Sequence, residues 1–412
     1  MLLPRPQDTL FVNATVIDGR GSVHERATVE VRGNRIVRIG SSDAVSTNGI
    51  EARYDLQGMV LMPGLIDTHM HFAGGDFDPA HENDPVGLAS LRSVDAAYRS
   101  LLAGFTTIRS AGARDHLDID ARDAVNQGLI PGPRILASGR GITHTGGHEH
   151  DIAIQADGPD EIRKAVRILV KRGADSIKIF GISAGIATAG ADVDSEGYDV
   201  DEIRAAVTEA AKFRKLNQTH SISLQATKNA IEAGVASIDH GIFLDEEACR
   251  KMREKDIFLV PTFGPLYYYT VRREAEPWRI ARAEAVMKAR QASFRMALEL
   301  GVKIAFGSDL GMASRMKNGE NALELQLMVD AGMEPHDAII SATGRAAELL
   351  RLHHLIGTIE VGKLADLIVV GRNPLDDITA LQTDIKLVMR DGIIYRDDLS
   401  NRASPRWGAM TV

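Results

Sequence analysis

A chain of 412 residues, 44% apolar and 25% charged, has enough apolar surface for a large core and more than one domain, which excludes disorder for most of its length. The formal charge of -8 is modest, and Lys and Arg are interspersed with Asp and Glu, so nucleic acid is not an expected partner. Cys249 is the only cysteine, which excludes an intrachain disulfide, a Cys-based zinc site and a redox pair and leaves His, carboxylate or modified Lys for any metal.

The opening MLLPRPQDTLFVN has no basic segment followed by an apolar stretch and cleavage site, and nowhere do 18 apolar residues run together. A cytoplasmic protein with no membrane span is the expectation. Residues 8 to 63 read as short strands: TLFVNATVID, then ATVEVRGNRIVRIG, whose apolar positions alternate around a Gly33-Asn34 turn. From Pro63 to Leu350 the texture changes to eight strand-like runs separated by helix-like segments: GLIDTH, FTTIRS, RILAS, DSIKIF, NQTHS, ASIDHG, IFLVPTF and KIAFGSD. One helix has clear signals, with Pro159 near its start, Ile162, Val166, Leu169 and Val170 at helical spacing, and Gly173 as its stop.

Eight strands alternating with helices imply a parallel sheet, and the count favours a closed (β/α)8 barrel over an open doubly wound sheet. The segment SAGIATAGADVDSEGYD, residues 183 to 199, follows the fourth strand without a clear period and is a candidate lid, or else a surface excursion. After PHDAIISATGRAAELLRL, strands return in KLADLIVVG and in IKLVMRDGIIYRD around Asp391-Gly392. The two ends share one character. The expected division is therefore residues 1–63 and 354–412 as two parts of one β-sandwich-like domain, interrupted by a barrel at 64–353.

His69 and His71 lie in LIDTHMHF, and residues i and i+2 of a strand point to the same side, so both imidazoles can face one metal at a barrel mouth. With 13 histidines, chance alone supplies roughly 0.4 His-x-His pairs. A second pair, His148 and His150 in TGGHEH, does occur. Context separates them: the first pair ends an apolar strand and is placed to ligate, whereas the second sits in a glycine-bearing loop and is placed to touch substrate.

His220 in NQTHS, His240 in SIDHG and Asp309 in FGSD fall at the C-terminal ends of predicted strands, which converge on one face of such a barrel. Lys178 in DSIKIF is flanked by Ile177 and Ile179, and a lysine there is costly to bury. Either it is carboxylated beside divalent cations, or it reaches solvent or pairs with an acid such as Asp175. Tyr267, Tyr268 and Tyr269 follow the seventh strand; one or two of these rings, Tyr267 and Tyr268 in particular, are candidates to line a pocket.

Together VNATVIDG, LMPGLIDTHMH, AGFTTIRSAG, TGGH, DSIKIF, IEAGVASIDHG, FGSD and IGTIEVGKLADLIVV resemble the amidohydrolase superfamily over nearly the whole chain. The resemblance is to its branch of binuclear zinc Xaa-Pro dipeptidases and N-acyl amino acid hydrolases, related to imidazolonepropionase. It implies a distorted (β/α)8 TIM barrel with a small β-sandwich, a small-molecule substrate and a homo-oligomer. It also implies two divalent metal ions, most often zinc: His69, His71 and Asp309 on the buried ion, His220 and His240 on the more exposed one, and carboxylated Lys178 between them. Asp309 would move the proton during hydrolysis of a C–N bond by metal-activated water. His148 would contact substrate, assisted by His144.

The chain departs from the branch at Ile222, where an aromatic or imidazole group is common, at Ser110, where an acid is common, and at Asn318, where histidine is common. These departures are expected to touch the substrate pocket. Competing readings are a ring-amidine deaminase with a mononuclear site, which usually dispenses with Lys178, a lactone or ester hydrolase, and a non-catalytic scaffold.

Overall fold

The computed structural model describes residues 5–41, 50–72, 83–185, 192–273, 275–311 and 316–400. Its centre is a ring of parallel strands. Leu65–Met70, Phe105–Ser110 and Arg134–Leu136 form one parallel sheet, and Ser176–Ile179, Leu216–Ser221, Ser237–His240 and Phe258–Val260 run in order through another. A few backbone hydrogen bonds carry the ring across each of the remaining gaps. Asp175 N donates to Ala137 O at 2.7 Å, Ala305 N to Leu259 O at 2.9 Å, and Thr68 N to Phe306 O at 3.0 Å.

The eighth position, around Ile304, joins its neighbour through one isolated bridge rather than a ladder, and this is where the barrel is distorted. Helices alternate with the strands and cover the outside, as a parallel sheet buried on both faces requires. Helix Gly158–Arg172 illustrates the local logic. Asp160 and Glu161 occupy its first turn, Lys171 and Arg172 its last, both in the favourable sense for the helix dipole. Ile162, Ala165, Val166 and Leu169 are buried, and Gly173 ends the helix at φ 101°, a left-handed conformation that costs glycine little.

Both ends of the chain meet in one eight-stranded sheet. Thr9–Ile17 pairs antiparallel with Val23–Arg32, parallel with Ala52–Asp55 at its start and parallel with Val60–Pro63 at its end. Leu367–Val370 then pairs with Val60–Pro63, and Ile385–Arg390 and Ile393–Asp397 complete the edge. Period-2 alternation splits the central strands between two cores. Leu61, Leu367, Val369, Leu387 and Met389 pack into the sheet's own core with Phe11 and Val29, whereas Val60, Met62, Ile368, Val370 and Val388 pack into the barrel's. The sheet that holds both termini is thus fastened to the barrel by continuous apolar packing.

Of the candidate lid, residues 186–191 lie outside the described residues. Its flanks are held together where Gly197 N donates to Ile182 O at 3.0 Å and Tyr198 N to Gly181 O at 2.7 Å. Among the described residues, no helix is long and apolar enough to cross a membrane.

Candidate metal centre

The strand ends bring four imidazoles, a carboxylate and an amine into one buried cluster. His69 Nε2 and His71 Nε2 stand 3.3 Å and 3.2 Å from Asp309 Oδ1, and one donor atom from each of these three residues lies within 4.8 Å of the others. The rings of His69 and His240 are 5.1 Å apart, those of His240 and His220 4.3 Å, and those of His220 and His148 4.1 Å. Lys178 is fully buried beside them.

The outer nitrogens of His69, His71 and His240 are spoken for. His69 Nδ1 lies 2.8 Å from Asp239 Oδ2, and His71 Nδ1 lies 3.2 Å from Gly112 O. A carbonyl and an ionised carboxylate only accept, so both Nδ1 atoms carry the proton and both Nε2 atoms keep a lone pair for the cluster. His240 Nδ1 meets Thr262 Oγ1 at 2.8 Å, and Arg290 Nη2 donates to the same oxygen at 3.0 Å. The second lone pair of that oxygen suits a proton on His240 Nδ1, which again frees Nε2.

Four inward-facing atoms are left without a hydrogen-bond partner among the described residues: His220 Nε2, His240 Nε2, Asp309 Oδ1 and Lys178 Nζ. Each buried, unsatisfied polar atom costs about 1–3 kcal/mol. Four on one spot mark a site built for a group that satisfies them. Divalent cations fit the three acceptors, since neutral imidazole and carboxylate are ordinary ligands. The Lys178 amine fits beside a cation only as an oxygen donor, which is what carboxylation would make of it.

The electrostatics agree with that fit. Burial lowers the pKa of His71, His220 and His240 and pushes His148 down to about 3, with the Lys178 charge adding to the effect at His148, so these rings are neutral near pH 7. Burial also pushes Lys178 down to about 8 against the pull of Asp239 and Asp309. For Asp309, burial acts to raise the pKa, and positive charge or an N–H presented by His69 and His71 acts to lower it and prevails; with both Nε2 atoms left as lone pairs, a bound cation would supply that positive charge instead. Asp239 is likewise held down, against its burial, by His69, Lys178 and Arg109.

Three residues at the ends of the last strand positions have left-handed backbones: His240 at φ 79°, Thr262 at φ 54° and Asp309 at φ 56°. A β-branched residue such as Thr262 is a genuine outlier there. Strain of this kind costs about 1–3 kcal/mol per residue and persists where the surroundings over-determine it.

The cluster forms the floor of a cleft of about 560 Å³, counting the part open to solvent. Phe180, Ile222, Ile242, Leu266 and Tyr269 supply apolar walls, and His148, Glu149 and Arg290 supply polar ones. His148 is therefore at the pocket, whereas His144 is not among its lining residues: its Nδ1 meets Thr145 O at 3.2 Å and its ring stands edge-on to Tyr198.

Tyr267 and Tyr268 do not line the cleft either, and Tyr269 does. The segment is a helix, Gly264–Thr270, in which residues three apart share a face, so Leu266 and Tyr269 look inward together. Tyr268 is buried on another side and donates to Glu320 Oε2 at 2.6 Å. Of the three departures, only Ile222 lines the cleft. Asn318 Nδ2 donates to His71 O at 3.1 Å and supports the strand end, while Ser110 O accepts from Gln218 Nε2 inside the barrel.

Residues 60–394 match the model of the amidohydrolase family. The chain belongs to that family. A crystal structure of a Xaa-Pro dipeptidase with bound methionine in its active site superposes with a TM-score of 0.87 at 34% identity, over 94% of this chain and 100% of that one. The ochratoxinase of Aspergillus niger is 28% identical over 91% of this chain and 83% of its own. The imidazolonepropionase of Pseudomonas fluorescens (strain Pf0-1) is 25% identical over 86% of this chain and 90% of its own. As an amidohydrolase, the chain is a (β/α)8-type protein with a sheet of both termini and a possible metal site at His69, His71 and Asp309.

Five residues around this amidohydrolase site were not singled out by sequence: Asp239, Arg109, Thr262, Glu149 and Arg290. Asp239 carried a local signal, an acid buried between Ile238 and a predicted ligand on a strand. Arg290 carried another, because it falls on the buried stripe of helix Pro277–Glu299 with Ala283, Val286, Phe294 and Ala297. A cation at a buried position of a helix is costly unless it is used.

Proposed function

We propose that this amidohydrolase is a metal-dependent enzyme that hydrolyses a C–N bond of a small amide, peptide, cyclic amide or carbamate. The observation that carries the proposal is the convergence of His220 Nε2, His240 Nε2, Asp309 Oδ1 and Lys178 Nζ, all buried and all without a hydrogen-bond partner among the described residues, on one cleft floor. His69, His71 and Asp309 would hold one cation, His220 and His240 a second, and carboxylated Lys178 would bridge them. When bound, such cations lower the pKa of water into the neutral range and polarise the scissile carbonyl.

The chain's own groups account for the rest. The Asp309 carboxylate, held well below its ordinary pKa, accepts the proton of the attacking water and delivers it to the leaving nitrogen. His148, neutral and on the cleft wall, is placed to hydrogen-bond the substrate carbonyl. Asp239 and Thr262 hold His69 and His240 in the tautomers that leave Nε2 free. Ile222, Ile242, Leu266 and Tyr269 take an apolar substituent and keep bulk water from the reacting atoms.

The similarity to a Xaa-Pro dipeptidase, an ochratoxinase and an imidazolonepropionase supports the C–N bond as the target. Lys178 supports a binuclear centre over the mononuclear deaminase reading. The deciding experiment is elemental analysis of purified protein by mass spectrometry together with an assay on N-acyl amino acids, dipeptides, cyclic amides and carbamates before and after chelation. Near two metal ions per chain and chelator-sensitive cleavage are expected. One ion per chain with an unmodified Lys178 would sink the binuclear reading.

A further inference from the structure

On the barrel face opposite the metal centre lies a groove of about 1630 Å³, counting the part open to solvent. Leu216 opens strand Leu216–Ser221, Val235 and Ala236 precede Ser237–His240, and Phe258 opens Phe258–Val260. The groove is therefore at the other ends of the strands that carry His220 and His240. The rise along extended strand from Leu216 to His220 is about 13 Å. Groove and cleft share no lining residue.

Arg214, Lys215, Lys255 and Arg351 line the groove, against two acids, Asp256 and Glu348. Both acids are claimed by a further cation, since Lys303 Nζ stands 2.6 Å from Asp256 Oδ1 and 2.6 Å from Glu348 Oε1. Lys255 is also engaged, donating to Ile231 O at 3.1 Å and to Glu232 Oε2 at 3.2 Å. Among the described residues, Arg214, Lys215 and Arg351 form no ion pair and no side-chain hydrogen bond. In a chain of formal charge -8, three such cations around one groove are a local excess of the opposite sign.

These cations follow helix C-termini, where side chains can serve as caps, but backbone N–H groups already close both ends. Lys215 N donates to Ala210 O at 3.0 Å after helix Val200–Lys212, and Leu352 N to Ala347 O at 2.8 Å after helix Gly344–Leu349. Arg214 and Arg351 each hold a left-handed backbone at φ 57°, where glycine or asparagine costs less. Most of the remaining lining is apolar, with Val207, Leu216, Phe258 and Leu349 the largest side chains. Asn217 adds a donor: its Oδ1 accepts from Ala236 N at 2.8 Å, and its Nδ2 has no hydrogen-bond partner among the described residues.

We propose that this groove binds a small amphipathic anion, a phosphate monoester or carboxylate on an apolar body. Arg214, Lys215 and Arg351 take the anionic head, and Val207, Leu216, Phe258 and Leu349 take the body. Such a ligand binds independently of hydrolysis at the cleft. Complementing helix dipoles is the structural role from which these cations must be distinguished, and that role needs no ligand.

The test is calorimetry on the metal-loaded protein with four probes: octyl phosphate, octanoate, inorganic phosphate and 1-octanol. At least one of the two amphiphilic acids is expected to bind wild type about tenfold more tightly than inorganic phosphate or octanol, because only these acids engage cations and floor together. The double variant Arg214→Gln/Arg351→Gln should weaken that binding about tenfold and leave turnover of any confirmed amide substrate unchanged. Arg214→Lys/Arg351→Lys should keep most of the binding, and raised salt should weaken it.

A tighter fit for either acid upholds the anion site and identifies its head group. If no probe binds wild type, as when a second copy of the chain covers the groove, the site is refuted without any variant having to fold. Octanol binding as tightly as the acids would show a merely apolar surface and overturn it. Acid binding that is unchanged in the double Gln variant would place the ligand in the cleft and also overturn it.

Discussion

Asp239 Oδ2 lies 2.8 Å from His69 Nδ1, and both residues are buried to within one per cent of completely. The same carboxylate faces Lys178 Nζ at 3.7 Å and Arg109 Nη2 at 3.7 Å and accepts from Ser237 Oγ at 2.7 Å. One acid thus sets the tautomer of a candidate ligand and balances two buried cations. Asp239→Asn keeps the shape and removes the charge. It is expected to lower metal affinity about 10- to 100-fold and stability by about 3–5 kcal/mol, because Arg109 is left uncompensated. Competition with a chelating dye and urea denaturation read the two effects separately. Unchanged metal affinity would refute the tautomer role.

Asp309→Asn tests the proton transfer. With the carboxylate replaced by a neutral amide, kcat on a confirmed amide substrate should fall about 10²- to 10⁴-fold. Elemental analysis of the same sample separates loss of metal from loss of the proton carrier. Unaltered turnover would mean that another group moves the proton.

Thr262→Val removes Oγ1 at nearly constant volume, leaving His240 Nδ1 and Arg290 Nη2 without their shared acceptor. A decrease of about 10- to 100-fold in affinity for the more weakly held metal is expected, with little change in the tighter one. Two-phase metal release during chelation is the measurement. An unaffected weak phase would show that packing alone orients His240.

Lys178→Met retains an apolar stem and deletes the amine. Metal content is expected to drop from about two ions to about one per chain, with activity lower by at least a hundredfold, roughly the loss expected when one of two activating cations goes. Peptide mass analysis under non-acidic conditions should find wild-type Lys178 heavier by the mass of carbon dioxide. An unmodified Lys178 in a fully active, two-metal sample would rule out the carbamate.

Metal-free protein should lose stability in mild acid. His148, His220, His240 and His71 have lowered pKa values in the folded state, so below about pH 6.5 the unfolded chain binds protons that the folded chain does not, and unfolding is favoured as pH falls. For His148 the window runs from its unfolded value near pH 6.5 down to about 3, at up to about 1.4 kcal/mol per pH unit. Denaturation midpoints with chelator present should therefore fall from pH 7 to pH 5, and His148→Gln should flatten the slope. A pH-independent midpoint would contradict neutral buried imidazoles.

The barrel and the possible metal site could be read from sequence because their determinants are local. A parallel strand needs only a short apolar run, and a parallel ring puts the C-terminal end of every such run on one face. His69, His220, His240 and Asp309 at those ends were therefore legible as a group. So was the kinship of the two chain ends, whose alternating apolar patterns meet in one sheet.

What only the tertiary structure decided is which groups face those ends from elsewhere. Tyr269 rather than Tyr267 or Tyr268 meets the cleft because the run folds as a helix, whose period reassigns faces that a loop leaves open. His144, only four residues before His148, packs on Tyr198 instead. Asp239, Thr262 and Arg290 act through partners 170, 22 and 28 residues distant in the chain. A strand's pattern states which side of it is buried; what fills the space opposite depends on how separate elements close over one another, and no local pattern encodes that.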